Sequence, residues 1–178
     1  MFCVLRINMN SYTNLAKQSV ETYFTKHAIM DTPKNLPKEF YDLRAGVFVT
    51  IFNGKDLRGC IGTYMPTEKN IADEIIQNAI SAAANDYRFE PITIDELPKL
   101  TYEVSVLSAP EEIKDKRELD PQKFGVLVKS GHKSGLLLPD LKGVDTTEKQ
   151  IKIACQKAGI NYPKEKIEIY KFTVKKYS

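Results

Sequence analysis

The chain has no tryptophan, only two histidines and only three cysteines in 178 residues. Each scarcity excludes something. Cys3, Cys60 and Cys155 are odd in number and widely spaced, which argues against a disulfide framework and fits a reducing compartment. His27 and His132 are far apart and no cysteines cluster, so no metal site and no cofactor are expected. No apolar run approaches the length of a membrane span, and MFCVLRINMN is too short for a signal peptide; a cytoplasmic protein is expected. The net charge of +3 is spread along the chain and the closing KKYS is too short for a basic arm, so nucleic acid is not an expected partner. GKDLRGCIG has neither the spacing nor the context of a Walker or Rossmann phosphate loop, and no Ser–His–Asp signature occurs.

What is present is an ordinary globular composition, 42% hydrophobic and 28% charged. Apolar spacing predicts a helix from residue 10 or 11 to about His27 and a second from Thr67 to Tyr87, stopped before Pro91. Leu100 to Ser108 alternates as a strand. Phe124 to Lys129 and Leu136 to Leu138 read as strands of a hairpin across SGHKSG, whose His132 is weighed as an anion contact and read as an exposed turn residue. Asp145 is the expected N-cap of a last helix, with Glu148 at the capping-box position and Gly159 at its end. Ile167 to Val174 is a closing strand with a bulge or sharp twist near Ile169 and Tyr170. Paired strands without regular βα alternation define an α+β fold, a mainly antiparallel sheet with helices packed on it. One domain over 10–178 is expected, with a small lobe at 109–143. Residues 1–9 are expected to be an N-terminal extension or a short strand, with Met9 as an alternative start.

Gly46 to Tyr64, GVFVTIFNGKDLRGCIGTY, carries residue choices that core packing does not require. Asn53-Gly54 suits a tight hairpin turn. Strict alternation from that turn puts Phe48, Phe52, Leu57 and Ile61 on one face, with Gly59 making room for a ring. It puts Val47, Val49, Ile51, Arg58, Cys60 and Gly62 on the other. Arg58 and Cys60 then share a face, roughly 7 Å apart at their backbones, and a guanidinium near a thiol favours the thiolate. Gly59 and Gly62 permit close approach of a ligand or another backbone. Against this stands a small buried cysteine filling a gap, with Arg58 tied to a structural carboxylate. Glu103 interrupts an apolar strand and wants a cation, with Arg58 or Arg88 as candidates. Asp86, Arg88 and Phe89 follow the second helix. The expectation is that Arg58, Cys60, Asp86, Arg88 and Glu103 converge.

LRGCIGTY, preceded by GVFVTI and followed in order by ANDYRFEP, EVSVLSAPEEI and GLLLPDL, resembles the AMMECR-type domain. GVDTTEKQIKIACQKAGI is similar to the branch called AmmeMemoRadiSam system protein A. The resemblance runs from about Asn10 to Val174; the first eight residues lie outside it. It implies an α+β fold with a smaller lobe and no established activity. It also implies company with a Memo-like protein and a radical-SAM protein. The chain lacks the CxxxCxxC that would ligate a radical-SAM cluster, so it is not that component. The hallmark maps onto Leu57, Arg58, Gly59, Cys60, Ile61 and Gly62, and more loosely onto Asp86, Arg88, Phe89 and Glu103. Two main readings follow: an accessory or adaptor protein presenting a groove around Arg58 and Cys60, or an enzyme with Cys60 as nucleophile, Arg58 lowering its pKa and Glu103 or Asp86 moving protons. A nucleic-acid-binding regulator is a third, weaker reading.

Overall fold

A computed structural model describes residues 11–178. The expected N-terminal strand or extension, and Cys3 with it, lie outside the described residues. The chain forms two compact units, one of residues up to Val106 together with Lys175–Ser178, the other Leu107–Val174. The second unit is therefore larger than the lobe expected at 109–143. The reason is that the last helix and the strand after it pack with the second hairpin.

The first unit is built on four strands. These are β1 (Val47–Asn53), β2 (Asp56–Thr63), β3 (Leu100–Leu107) and β8 (Val174–Tyr177), in the order β2-β1-β3-β8. β1 pairs antiparallel with both β2 and β3. Two helices cover one face, α1 (Ser11–Lys26) and α3 (Ile71–Ala84). A short α2 (Glu39–Asp42) lies between α1 and the sheet in sequence. Ile71, Ala72, Ile75, Ile76, Ala79, Ala82 and Ala83 are buried along α3 and meet Val47, Val49 and Ile51 in a single core. Small residues on that stripe let the helix lie close. A Cβ on Gly59 would stand 2.1 Å from the Ala82 carbonyl oxygen, so only glycine fits where the helix crosses β2.

The helix α3 is shorter than expected. Asn70 caps it by accepting from the Asp73 amide, and 67–69 stay outside. Their polar groups converge on Glu74, 1% exposed, whose carboxylate accepts from the Thr67 and Glu68 amides at 2.8 and 2.7 Å and from the Thr63 and Thr67 hydroxyls.

The second unit holds a separate antiparallel sheet. Its strands are β4 (Glu111–Glu112), β5 (Gly125–Ser130), β6 (Lys133–Leu137) and β7 (Glu168–Phe172), in the order β4-β7-β5-β6. Helix α4 (Thr147–Lys157) packs on it through Ile151, Ala154 and Cys155. Burial raises the Cys155 thiol pKa. The cap of α4 is Thr146, which accepts from the Lys149 amide, one residue later than expected from Asp145 and Glu148. The same close-approach device recurs: a Cβ on Gly135 would stand 2.1 Å from the Ala154 carbonyl oxygen. The expected single closing strand is two strands. β7 stays in the second sheet, Thr173 interrupts, and β8 pairs in the first. The observed fold class is the expected one, α+β with antiparallel sheets and helices packed on them.

Candidate functional site

The hairpin turn is built one residue later than the Asn53-Gly54 reading. Asn53 pairs with Asp56, so Gly54 and Lys55 are its central residues, and Gly54 takes φ +63°. Such a shift alone would preserve the predicted faces. They are overturned by a bulge. Phe52 pairs with Leu57 but Ile51 pairs with Gly59, leaving Arg58 as the extra residue of β2. Beyond it every side chain of β2 exchanges faces relative to β1. Gly59, Ile61 and Thr63 join Ile51, Val49 and Val47 toward α3. Cys60 and Gly62 join Thr50 and Phe48 on the opposite face. The glycine that makes room for a ring is Gly62, where a Cβ would fall 2.3 Å from Cγ of Phe48. Gly59 serves the helix instead.

Arg58 consequently leaves Cys60. Its guanidinium grips Glu96 through both terminal oxygens, Nε to Oε1 at 2.7 Å and Nη2 to Oε2 at 3.1 Å. It also donates to the carbonyls of Glu90 and Pro91, at 2.8 and 3.2 Å. The pair is largely withdrawn from water, at 17% and 23% side-chain exposure. Hydrogen bonding to Arg58 holds the Glu96 carboxyl down to about 2, against the opposing effect of its desolvation. Arg58 thus ties β2 to the 90–96 segment. The expected contact of Arg58 with Glu103 does not form, because the bulge turns the guanidinium to this segment.

The guanidinium that reaches Cys60 is that of Arg88. Asp86, with its side chain 2% exposed, accepts the Cys60 amide at 2.9 Å and is chelated by Arg88, Nη2 to Oδ2 at 2.7 Å and Nε to Oδ1 at 2.9 Å. The same Nη2 donates to the Cys60 carbonyl at 3.3 Å. Since β2 is an edge strand, Asp86 and Arg88 together supply the acceptor and donor that a neighbouring strand would offer. The hydrogen bond from Arg88, then the Cys60 and Arg88 amides, lower the Asp86 pKa to about 2 even though burial works the other way. Phe89 packs under the Arg88 guanidinium, 5.4 Å from ring centroid to Cζ. With Arg88 committed to Asp86, it too makes no pair with Glu103.

Across the sheet Cys60, Thr50 and Glu103 stand in one row, since Thr50 pairs with Cys60 on β2 and with Glu103 on β3. Cys60 Sγ and Thr50 Oγ1 share a 3.3 Å hydrogen bond in which either group donates. The row spans about 10 Å at the backbone, with Phe48 and Phe52 flanking Thr50 along β1. Cys60 and Glu103 are half-buried, and the Glu103 carboxylate makes no hydrogen bond or ion pair among the described residues. The five residues expected to converge thus divide in three. Asp86 and Arg88 hold the backbone of Cys60, Arg58 holds the 90–96 segment, and Glu103 shares the open face with the Cys60 side chain.

Reading by residue type missed Thr50, Glu74 and Glu96. Thr93 and Glu96 form the T-x-x-E pattern that announces a helical turn, and the Glu96 carboxylate accepts the Thr93 amide at 2.8 Å. Glu74 and Asn78 sit one turn apart on the buried arc of α3, a placement that marks an acid with internal partners. Among the described residues no three His, Cys, Asp or Glu side chains are placed to hold a metal ion, and no helix is long and apolar enough to cross a membrane.

A two-unit α+β chain with a bulged LRGCIG edge defines the class, and comparison places it. The chain belongs to the AMMECR1 family, whose model matches residues 13–177. It is 46% identical over 172 residues to a protein of Thermotoga maritima, covering 96% of this chain and 99% of that one. It is 47% identical over 167 residues to a Clostridium acetobutylicum protein, covering 93% of this chain but 35% of the longer relative. The crystal structure of an uncharacterized protein from Pyrococcus horikoshii superimposes with a TM-score of 0.85 at 33% identity, covering 93% of this chain and 88% of that one.

Proposed function

We propose that this chain is a recognition component, belonging to the AmmeMemoRadiSam system protein A branch, that acts in the cytoplasm as an accessory or adaptor to a Memo-like protein and a radical-SAM protein. The face it presents is the row Cys60–Thr50–Glu103 flanked by Phe48 and Phe52. The observation that supports this reading is the division of charge. Both nearby arginines are spent on holding the edge of β2, while a half-buried carboxylate on the same sheet is left for an outside donor. A rigid strand with fixed polar groups is what binding requires. The test is the affinity of the purified chain for the Memo-like and radical-SAM proteins of its own source. Wild type binds one of them, and Glu103→Gln weakens that binding at least tenfold with its thermal stability kept. No binding to either protein overturns the proposal.

A second reading, Cys60 as a nucleophile, is favoured by the 3.3 Å contact with Thr50 and by Arg88 at the Cys60 carbonyl. Arg58 no longer has a part in it. It requires a turnover that Cys60→Ser abolishes, whereas recognition tolerates that change within a few-fold.

A further inference from the structure

Glu103 stands among neutral neighbours. Thr50 faces it on β1, Phe48 and Phe52 stand diagonally across on the same strand, and Thr101 and Ser105 flank it on β3. All five share its side of the sheet, and none carries a charge. Arg58 and Arg88 are held by Glu96 and Asp86. On β8, Lys175 lies over the Tyr177 ring at 5.1 Å, and Lys176 is exposed and makes no ion pair among the described residues. A half-buried carboxylate in this setting has lost part of its hydration and has no cation in return. An arriving donor offsets that cost.

The rings select the donor. Phe48 and Phe52 are half-buried, and no cation of the described residues lies over either of them. Phe48 is drawn over Gly62 on β2, the strand on the far side from Glu103. The two phenylalanines are four residues apart, roughly 13 Å at the backbone, which leaves space for one planar group above Thr50 and beside Glu103. A guanidinium suits that space. It is planar and lies flat against aromatic rings, it gives a carboxylate two parallel hydrogen bonds, and it gives up its hydration more readily than an ammonium does. A lysine ammonium offers neither the plane nor the fork.

We propose that Glu103 receives an arginine side chain presented by a partner protein, whose guanidinium pairs with the carboxylate and lies between Phe48 and Phe52. This rests on the reading of the face as a recognition surface and names what that surface recognises. The probe is the blocked tripeptide Ac-Gly-Arg-Gly-NH2, titrated at constant ionic strength into the full chain labelled with 13C and 15N. The lysine peptide and the uncharged citrulline peptide are the controls, and exposed Glu112 is the internal reference. The arginine peptide moves the Glu103 carboxyl carbon at least threefold further than the lysine peptide does, and at least threefold further than it moves that of Glu112. The citrulline peptide moves neither. Phe52→Leu, which keeps an apolar side chain, removes the preference for arginine over lysine; if that variant does not fold, the wild-type ratios decide. With any protein the chain binds, changing the binder's surface arginines singly to lysine finds one that weakens wild type at least tenfold and Glu103→Gln less than threefold. Smaller ratios for wild type, a preference kept by folded Phe52→Leu, or no such arginine in a bound partner overturns the proposal. Binding to the Memo-like or radical-SAM protein without arginine selectivity sinks this inference and leaves the recognition reading standing. Arginine selectivity without binding to either protein does the reverse.

Discussion

Asp86 and Glu96 are the residues whose ionisation the fold depends on most visibly. Both carboxyls sit at about 2, below their ordinary 3.8 and 4.5. The unfolded chain therefore binds protons first as pH falls. The stability these groups contribute is complete above about pH 4.5, declines as pH drops further and is gone below pH 2. Asp86→Asn and Glu96→Gln should each be less stable than wild type at pH 7 and should each flatten the fall between pH 4.5 and 2, measured by urea denaturation at fixed pH. Arg88→Met leaves the buried Asp86 carboxylate unpaired and should cost about 2–4 kcal/mol. Glu74→Ala strands the Thr67 and Glu68 amides and should cost about 3 kcal/mol, with Glu74→Gln losing less. The pairing of Arg58 with Glu96 rather than Glu103 was not legible, because a bulge is a property of two strands in register and one strand read alone does not show it.

At the scale of elements, each hairpin offers a glycine to a helix carbonyl, Gly59 to Ala82 and Gly135 to Ala154. Gly59→Ala and Gly135→Ala should each destabilise by about 1–3 kcal/mol, read as a lower denaturant midpoint. Neither backbone conformation resists the substitution, so the loss measures helix approach alone. The helices were legible from apolar spacing and the hairpins from their turns. What escaped was where the polar caps cut in: Asn70 caps a helix expected to begin at Thr67, and Thr146 takes the N-cap position expected at Asp145. The last strand escaped for a different reason. Its apolar residues change face at Ile169 and Tyr170, which reads as a bulge. The chain instead breaks at Thr173 and divides its strands between two sheets.

For the whole molecule, the α+β class and the family were readable from ordered motif blocks alone, because hairpins and LRGCIG are local in sequence. The extent of the second unit was not, since it depends on α4 and β7 returning to a hairpin formed earlier in the chain. The proposed function rests on the face holding Cys60, Thr50 and Glu103. The most direct test is the alkylation rate of native Cys60, measured in a Cys3→Ser background with and without the Memo-like protein. Recognition by this face predicts a rate that falls at least tenfold as that partner saturates and recovers when Glu103→Gln weakens the complex. A rate unchanged at saturating partner would contradict it.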